Sequence, residues 1–88
     1  MSKNETIENK RRRLIFRSDH RGTKEMDLVM GTFALKYVPE FSEEELAQYD
    51  EILNESDPDL YNWVTGIEDF PQEKMNGVYE KLLKHKYA

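Results

Sequence analysis

The sequence predicts an all-α fold: a compact small bundle of five helices, a single domain over residues 1–88. Three observations predict it. Apolar residues recur at spacings of three and four, the period of a helix with one buried face. Prolines, a glycine and short polar side chains stand where helices should begin and end. No stretch alternates apolar and polar residues as a half-buried strand would, and no repeat or low-complexity tract breaks the pattern.

Residues 1–5 are expected to fray. Over residues 6–17, Ile7, Leu14 and Ile15 recur at helical spacing with Phe16 on a flank. They predict a first helix from Thr6 to Arg17 that ends near Ser18. Thr23 reads as the N-cap of a second helix, with Gly22 before it. Met26, Val29, Met30, Phe33, Ala34 and Tyr37 form one apolar stripe along that helix. Pro39 ends it, because the residue before a proline is pushed out of the helical region.

"FSEEEL" carries the clearest helix start in the chain. Ser42 is the N-cap, Glu45 completes a capping box, and Phe41 and Leu46 stand where a hydrophobic staple needs them. Leu46, Tyr49, Ile52 and Leu53 give that third helix its buried face. In "DPDLYNWV" Asp57 reads as a cap, Pro58 as the first helical residue and Asp59 as a favourable charge in the first turn. Leu60, Trp63 and Val64 are expected to point inward, and Gly66 to close this fourth helix. Pro71 is expected to start a fifth, with Met75, Val78, Tyr79, Leu82 and Leu83 apolar and Lys84 and Lys86 near its negative end. Gly77 would weaken it by about 1 kcal/mol relative to alanine.

Composition narrows the function. With 38% apolar and 35% charged residues the core must be thin and efficiently used. Cysteine is absent, which removes disulfides, thiolate ligands and thiol nucleophiles and is compatible with a reducing compartment. No run approaches the ~18 apolar residues of a membrane span. No signal-peptide pattern follows Met1, and Glu5 and Glu8 sit where a mitochondrial transit peptide avoids acids. The expectation is a cytoplasmic protein with no membrane partner. His20 and His85 are far apart in sequence, the serines lack a nucleophile-elbow context, and no glycine-rich phosphate loop exists. An enzyme in its own right is not expected, nor a metal site.

The net charge of −5 hides an asymmetry. Residues 1–24 carry eight Lys/Arg against three Asp/Glu, and residues 25–88 carry five against fifteen. Such a dipolar chain can orient a charged partner. "KRRRLIFR" suggests a small adaptor or nucleic-acid-binding module using the basic first helix. Repulsion from the acidic body would oppose phosphate binding, so nucleic acid is not the expected partner.

The sign changes at "SDHRGTKEMD", residues 18–27. As a plain helix–turn–helix corner, Gly22 reverses the chain, Thr23 caps, and Glu25 rests on the positive end of the second helix. That leaves Arg21 and His20 crowding the same corner without a reason. An arginine and a carboxylate at a tight, glycine-permitted apex could instead enter a partner's cleft. Physical chemistry alone leaves both readings standing.

"RGTKEMD" followed some thirty residues later by "DPDLYNW" resembles the SdhE-type succinate dehydrogenase assembly factors, the flavinylation factors of bacteria and mitochondria. The resemblance covers roughly residues 10–84, and it implies a small five-helix domain. It also implies a partner, the flavoprotein subunit of succinate dehydrogenase and in some bacteria that of fumarate reductase, to which FAD becomes covalently attached through a histidine. The R-G-x-x-E corner would be the partner-binding surface, here Arg21, Gly22 and Glu25. His20 stands beside them where many members have a second arginine. The resemblance implies no cofactor of the chain's own, the FAD belonging to the partner. The flavoprotein must do the chemistry, since covalent flavinylation needs a positioned nucleophilic histidine and stabilisation of charge developing on the flavin.

Overall fold

The computed structural model describes residues 5–86 and contains five α-helices with no strand among them. They are α1 (Ile7–Asp19), α2 (Lys24–Tyr37), α3 (Glu43–Ile52), α4 (Asp57–Thr65) and α5 (Gly77–Lys84). Two 3₁₀ turns, Val38–Glu40 and Gln72–Lys74, fill the links after α2 and before α5. The all-α expectation holds. Residues 1–4, expected to fray, lie outside the described residues; Glu5 is held, its carboxylate 2.8 Å from Arg13 Nε.

The starts of α1, α2 and α3 follow directly from their caps. Thr6, Thr23 and Ser42 each accept a backbone N–H three residues on, and Glu45 returns the bond to the Ser42 N–H, closing the capping box. Gly66 ends α4 at φ +82°, a left-handed angle that glycine takes without a Cβ penalty. Two starts differ from expectation. Ser56, not Asp57, caps α4, accepting the Asp59 N–H at 3.3 Å, so Pro58 is the second helical residue. Asn76 caps α5, and Pro71 opens only the short 3₁₀ turn, which leaves Met75 exposed. Gly77 is therefore the first residue of α5, where a glycine costs less than it would mid-helix.

The helices close around one core. α1 packs on α2 and α3, and α5 packs on α3 and α4. Phe33 of α2 stands at its centre, with the rings of Tyr37, Phe41, Tyr49 and His85 between 4.8 and 6.2 Å away. The predicted α2 stripe is buried from Met26 to Ala34, and Tyr37 is partly buried. On α1 only Leu14 of the expected apolar set is fully buried; Ile15 packs at its edge, and Ile7 and Phe16 are exposed. Trp63, expected in the core, is half-buried, its ring edge-on to Phe70 at 5.1 Å.

Where α1 lacks apolar residues it uses polar ones. Ser18 is fully buried; its hydroxyl donates to the Leu14 carbonyl at 2.7 Å and lies 2.6 Å from the Tyr49 hydroxyl of α3. Burial pushes the Tyr49 phenol well above its ordinary value, with the Ser18 hydrogen bond working the other way. Arg13 and Arg17 of α1 both reach Asp50 of α3, at 3.2 and 2.9 Å. Arg11 donates to the Val38 and Phe41 carbonyls at 3.2 and 2.7 Å. Arg11, Arg13 and Arg17 of the basic helix are thus engaged by acceptors of the same fold. At the other end of the chain, His85 is hydrogen-bonded through Nε2 to Thr32 of α2 at 2.8 Å. Burial, helped by the Lys36 ammonium, holds its imidazole below the usual 6.5.

Two outcomes check this packing. Ser18→Ala strands the buried Tyr49 hydroxyl and should cost about 2 kcal/mol in urea unfolding. Adding Tyr49→Phe removes the stranded group, so the double variant should be more stable than Ser18→Ala alone. His85 has a folded pKa below its unfolded one, so the unfolded chain binds more protons as the pH drops. The His85 contribution is complete above about pH 6.5 and is lost as pH falls through the lowered value. Melting temperature should therefore decline as the pH falls below about 6.5 in wild type, and less steeply in His85→Gln.

Candidate functional site

The corner between α1 and α2 is built in four residues, 20–23. α1 ends at His20, whose ring lies on Phe16 with centroids 4.0 Å apart and whose Nδ1 is 2.8 Å from the Phe16 carbonyl oxygen. Arg21 and Gly22 make the turn, and Thr23 caps α2. Gly22 has φ +130°, a backbone angle that side chains rarely adopt. The chain reverses at Gly22 as expected, after α1 has closed at His20. An Asp27 carboxylate oxygen from the first turn of α2 accepts the Arg21 N–H at 2.6 Å and the Gly22 N–H at 3.4 Å. The turn is fastened by its own downstream helix.

Arg21 is not an exposed charge. Its side chain is 9% exposed, and its guanidinium donates from Nε to Asp57 Oδ1 at 2.8 Å. Nη1 donates to the Leu53 carbonyl at 2.7 Å, and Nη2 to the Glu55 carbonyl at 2.9 Å. Arg13, Arg17 and Arg21 lie four residues apart, so the corner continues the arginine row that binds α1 to α3. The reason Arg21 turns inward lies in Ser56. Because Ser56 caps α4, the Asp57 carboxylate is released from capping and faces Arg21. Separating a largely desolvated pair of this kind is expensive, about 3 kcal/mol.

Glu25 has the opposite environment. It is exposed and makes no hydrogen bond or ion pair among the described residues. It stands at the rim of a groove of about 290 Å³ between the first turns of α2 and α4, lined by Thr23, Glu25, Met26, Asp57, Pro58, Tyr61 and Asn62. An added Cβ on Gly22 would lie 3.5 Å from Asp57 Oδ2, so the apex sits directly over one wall of this groove. The structure thus gathers His20, Arg21, Gly22 and Glu25 at one corner and distinguishes among them. Arg21 holds the corner, Gly22 forms it, Glu25 is displayed, and the His20 ring folds back on Phe16.

Sequence reasoning missed Asp27 and the true partner of Asp57. Both acids lie inside the quoted "RGTKEMD" and "DPDLYNW" blocks, but a contact across 36 residues leaves no mark in local spacing. A second groove, of about 460 Å³, lies between α3 and α5 and is lined by Glu44, Glu51, Glu55, Lys74 and Tyr79 among others. There the Glu55 carboxylate raises the Lys74 ammonium's affinity for its proton. Among the described residues no cluster of histidine and acidic side chains could hold a metal ion, and no helix is long and apolar enough to cross a membrane.

Residues 12–86 match the family model described as flavinator of succinate dehydrogenase. A Drosophila yakuba protein named succinate dehydrogenase assembly factor 2-A, mitochondrial, is 39% identical over 84 residues, covering 93% of this chain and 52% of the relative. A Saccharomyces cerevisiae protein named succinate dehydrogenase assembly factor 2, mitochondrial, is 50% identical over 62 residues, covering 70% of this chain and 38% of the relative. The chain spans about half the length, or less, of these relatives. The match takes in the whole corner, the groove and all five helices except the start of α1, and on it the chain belongs to the family of succinate dehydrogenase flavinators, the SdhE-type assembly factors.

Proposed function

We propose that this chain binds the flavoprotein subunit of succinate dehydrogenase, with fumarate reductase flavoprotein as a second client, and promotes covalent attachment of FAD to it. Membership of the flavinator family supports the reading. The observation that carries it is the contrast at the corner: Glu25 is exposed and without an internal partner, while Arg21, four residues earlier, is consumed by three acceptors. Glu25 also favours the positive end of α2, yet its carboxylate has no partner among the described residues and stands free to pair outside the fold. The partner-binding residues in this reading are Gly22 and Glu25 as the contact surface, with Arg21 and His20 shaping it. The factor acts by favouring one geometry of the flavoprotein, a shift of population that depends on differential affinity for the competent state.

The chain holds no FAD of its own in this proposal. Its 460 Å³ groove carries the carboxylates of Glu44, Glu51 and Glu55, which would repel a diphosphate. The competing adaptor or nucleic-acid reading loses its footing on α1, because Arg11, Arg13 and Arg17 already donate to carbonyls and carboxylates of the same chain. A cytoplasmic location belongs to the same proposal. The relatives are named mitochondrial, so cell fractionation decides it.

The test is a set of variants supplied to cells that lack this chain, with covalent flavin read by in-gel fluorescence of the denatured flavoprotein. Glu25→Ala removes an exposed charge, so its stability should change by less than about 0.5 kcal/mol while covalent flavin drops sharply. Arg21→Ala should lose flavin too, but together with about 3 kcal/mol of stability. Gly22→Val should lose flavoprotein pull-down beyond what its melting temperature explains. Normal flavinylation by a folded Glu25→Ala variant would mean that the corner is only a turn.

A further inference from the structure

The groove beneath the apex belongs to neither the turn nor the core. Its floor is Met26, 1% exposed, and its walls are Pro58 and Tyr61 of α4, with Tyr61 37% exposed. Its polar lining is mostly spoken for. The Thr23 hydroxyl accepts the Met26 N–H at 3.2 Å, and Asp57 is paired with Arg21 at 2.8 Å. Glu25 remains as the carboxylate available at the rim. The result is an apolar slot with one unpaired negative charge at its edge, continuous with the Gly22 apex through Asp57.

We infer that this slot receives one large apolar side chain of the flavoprotein, from an exposed segment in which that residue neighbours an arginine or lysine that pairs with Glu25. The inference rests on the proposed flavoprotein partnership and adds to it the residue chemistry and the second half of the contact surface. Three physical points favour this occupant. Size is the first: about 290 Å³ stands at the very bottom of the range of about 300–1,000 Å³ that small-molecule sites occupy, and it suits a side chain better than a dinucleotide. Charge is the second, since a carboxylate at the rim of an apolar slot selects a cation and disfavours an anionic flavin diphosphate. The third is the wall itself. A half-exposed tyrosine offers a rigid contact of the kind that anchors interfaces at low entropic cost. On this view "DPDLYNW" has two faces. Asp57 and Leu60 serve the fold, and Pro58, Tyr61 and Asn62 serve the partner.

The experiment measures binding of the flavin-free flavoprotein subunit to the full chain by calorimetry, beside melting curves for each variant. Asn62→Trp, which fills the slot, and Tyr61→Ala, which removes a wall, should each weaken binding about tenfold or more with little change in melting temperature. Tyr61→Phe should bind as wild type does. Raising the salt concentration should weaken wild type more than Glu25→Gln. If Asn62→Trp and Tyr61→Ala bind normally while Glu25→Gln does not, the slot is empty in the complex and this inference is wrong, although the flavoprotein partnership stands. If wild type does not bind the flavoprotein, both fail. Two further results would also overturn the inference by assigning the slot another occupant. One is self-association of the chain abolished by Asn62→Trp. The other is FAD binding by the isolated chain abolished by the same variant.

Discussion

The guanidinium of Arg21 ties the α1–α2 turn to a short stretch more than thirty residues further along the chain: the C-cap of α3, the α3–α4 link and the first residue of α4. Its two carbonyl acceptors, on Leu53 and Glu55, sit where a helix end leaves oxygens without intrahelical partners. Its carboxylate acceptor, Asp57, begins the next helix. One side chain thus satisfies the close of α3 and fixes the start of α4. Only a planar fork of donors can serve three acceptors in these directions, and a lysine could not. With α4 placed, Pro58 and Tyr61 face the first turn of α2 and the groove exists.

The same logic runs down α1. Its arginines at 11, 13 and 17, with Arg21 just beyond its end, replace the apolar stripe that a helix packed on two neighbours would ordinarily carry. Part of this row is exposed, and pairs such as Arg13–Asp50, 36% and 28% exposed, contribute little individually. The stronger members are those that donate to backbone carbonyls, where an unmet acceptor would be costly. The basic segment before residue 25 is therefore tied to the acidic remainder at Asp50 and Asp57. Among the described charges that line the groove, the one left unpaired is the Glu25 carboxylate.

This history explains what could be read from the sequence. Helix number, the caps at Thr23 and Ser42, the capping box with Glu45 and the Gly66 stop all rest on bonds within four residues, and local pattern reveals those. The buried stripe of α2 was equally legible from its spacing. The start of α4 is ambiguous in the sequence because Asp57 and Ser56 are both good caps; Ser56 takes the Asp59 N–H, and Asp57 pairs with Arg21, 36 residues away. Pro71 was misread as a helix start because a proline marks a turn as readily as a first helical residue; the Asn76 side chain decided it. Ser18 looked like a helix boundary and is a buried donor, since its partner Tyr49 lies 31 residues away. For the site, the motif located the corner correctly. It could not tell that the arginine points inward and the glutamate out.

That division of roles separates two ways in which Arg21 could support a partnership: by holding the corner and groove in shape, or by reaching the partner itself. Affinity for the flavin-free flavoprotein in Arg21→Ala, Asp57→Ala and the double variant, at a temperature where circular dichroism shows all three folded, distinguishes them directly. If Arg21 acts through Asp57, the two single variants lose affinity to a similar degree and the double variant is little worse than either, the strong coupling expected of residues that act as a unit. Wild-type affinity in Asp57→Ala beside a large loss in Arg21→Ala would contradict this, and would place the guanidinium in the partner's site instead of beneath it.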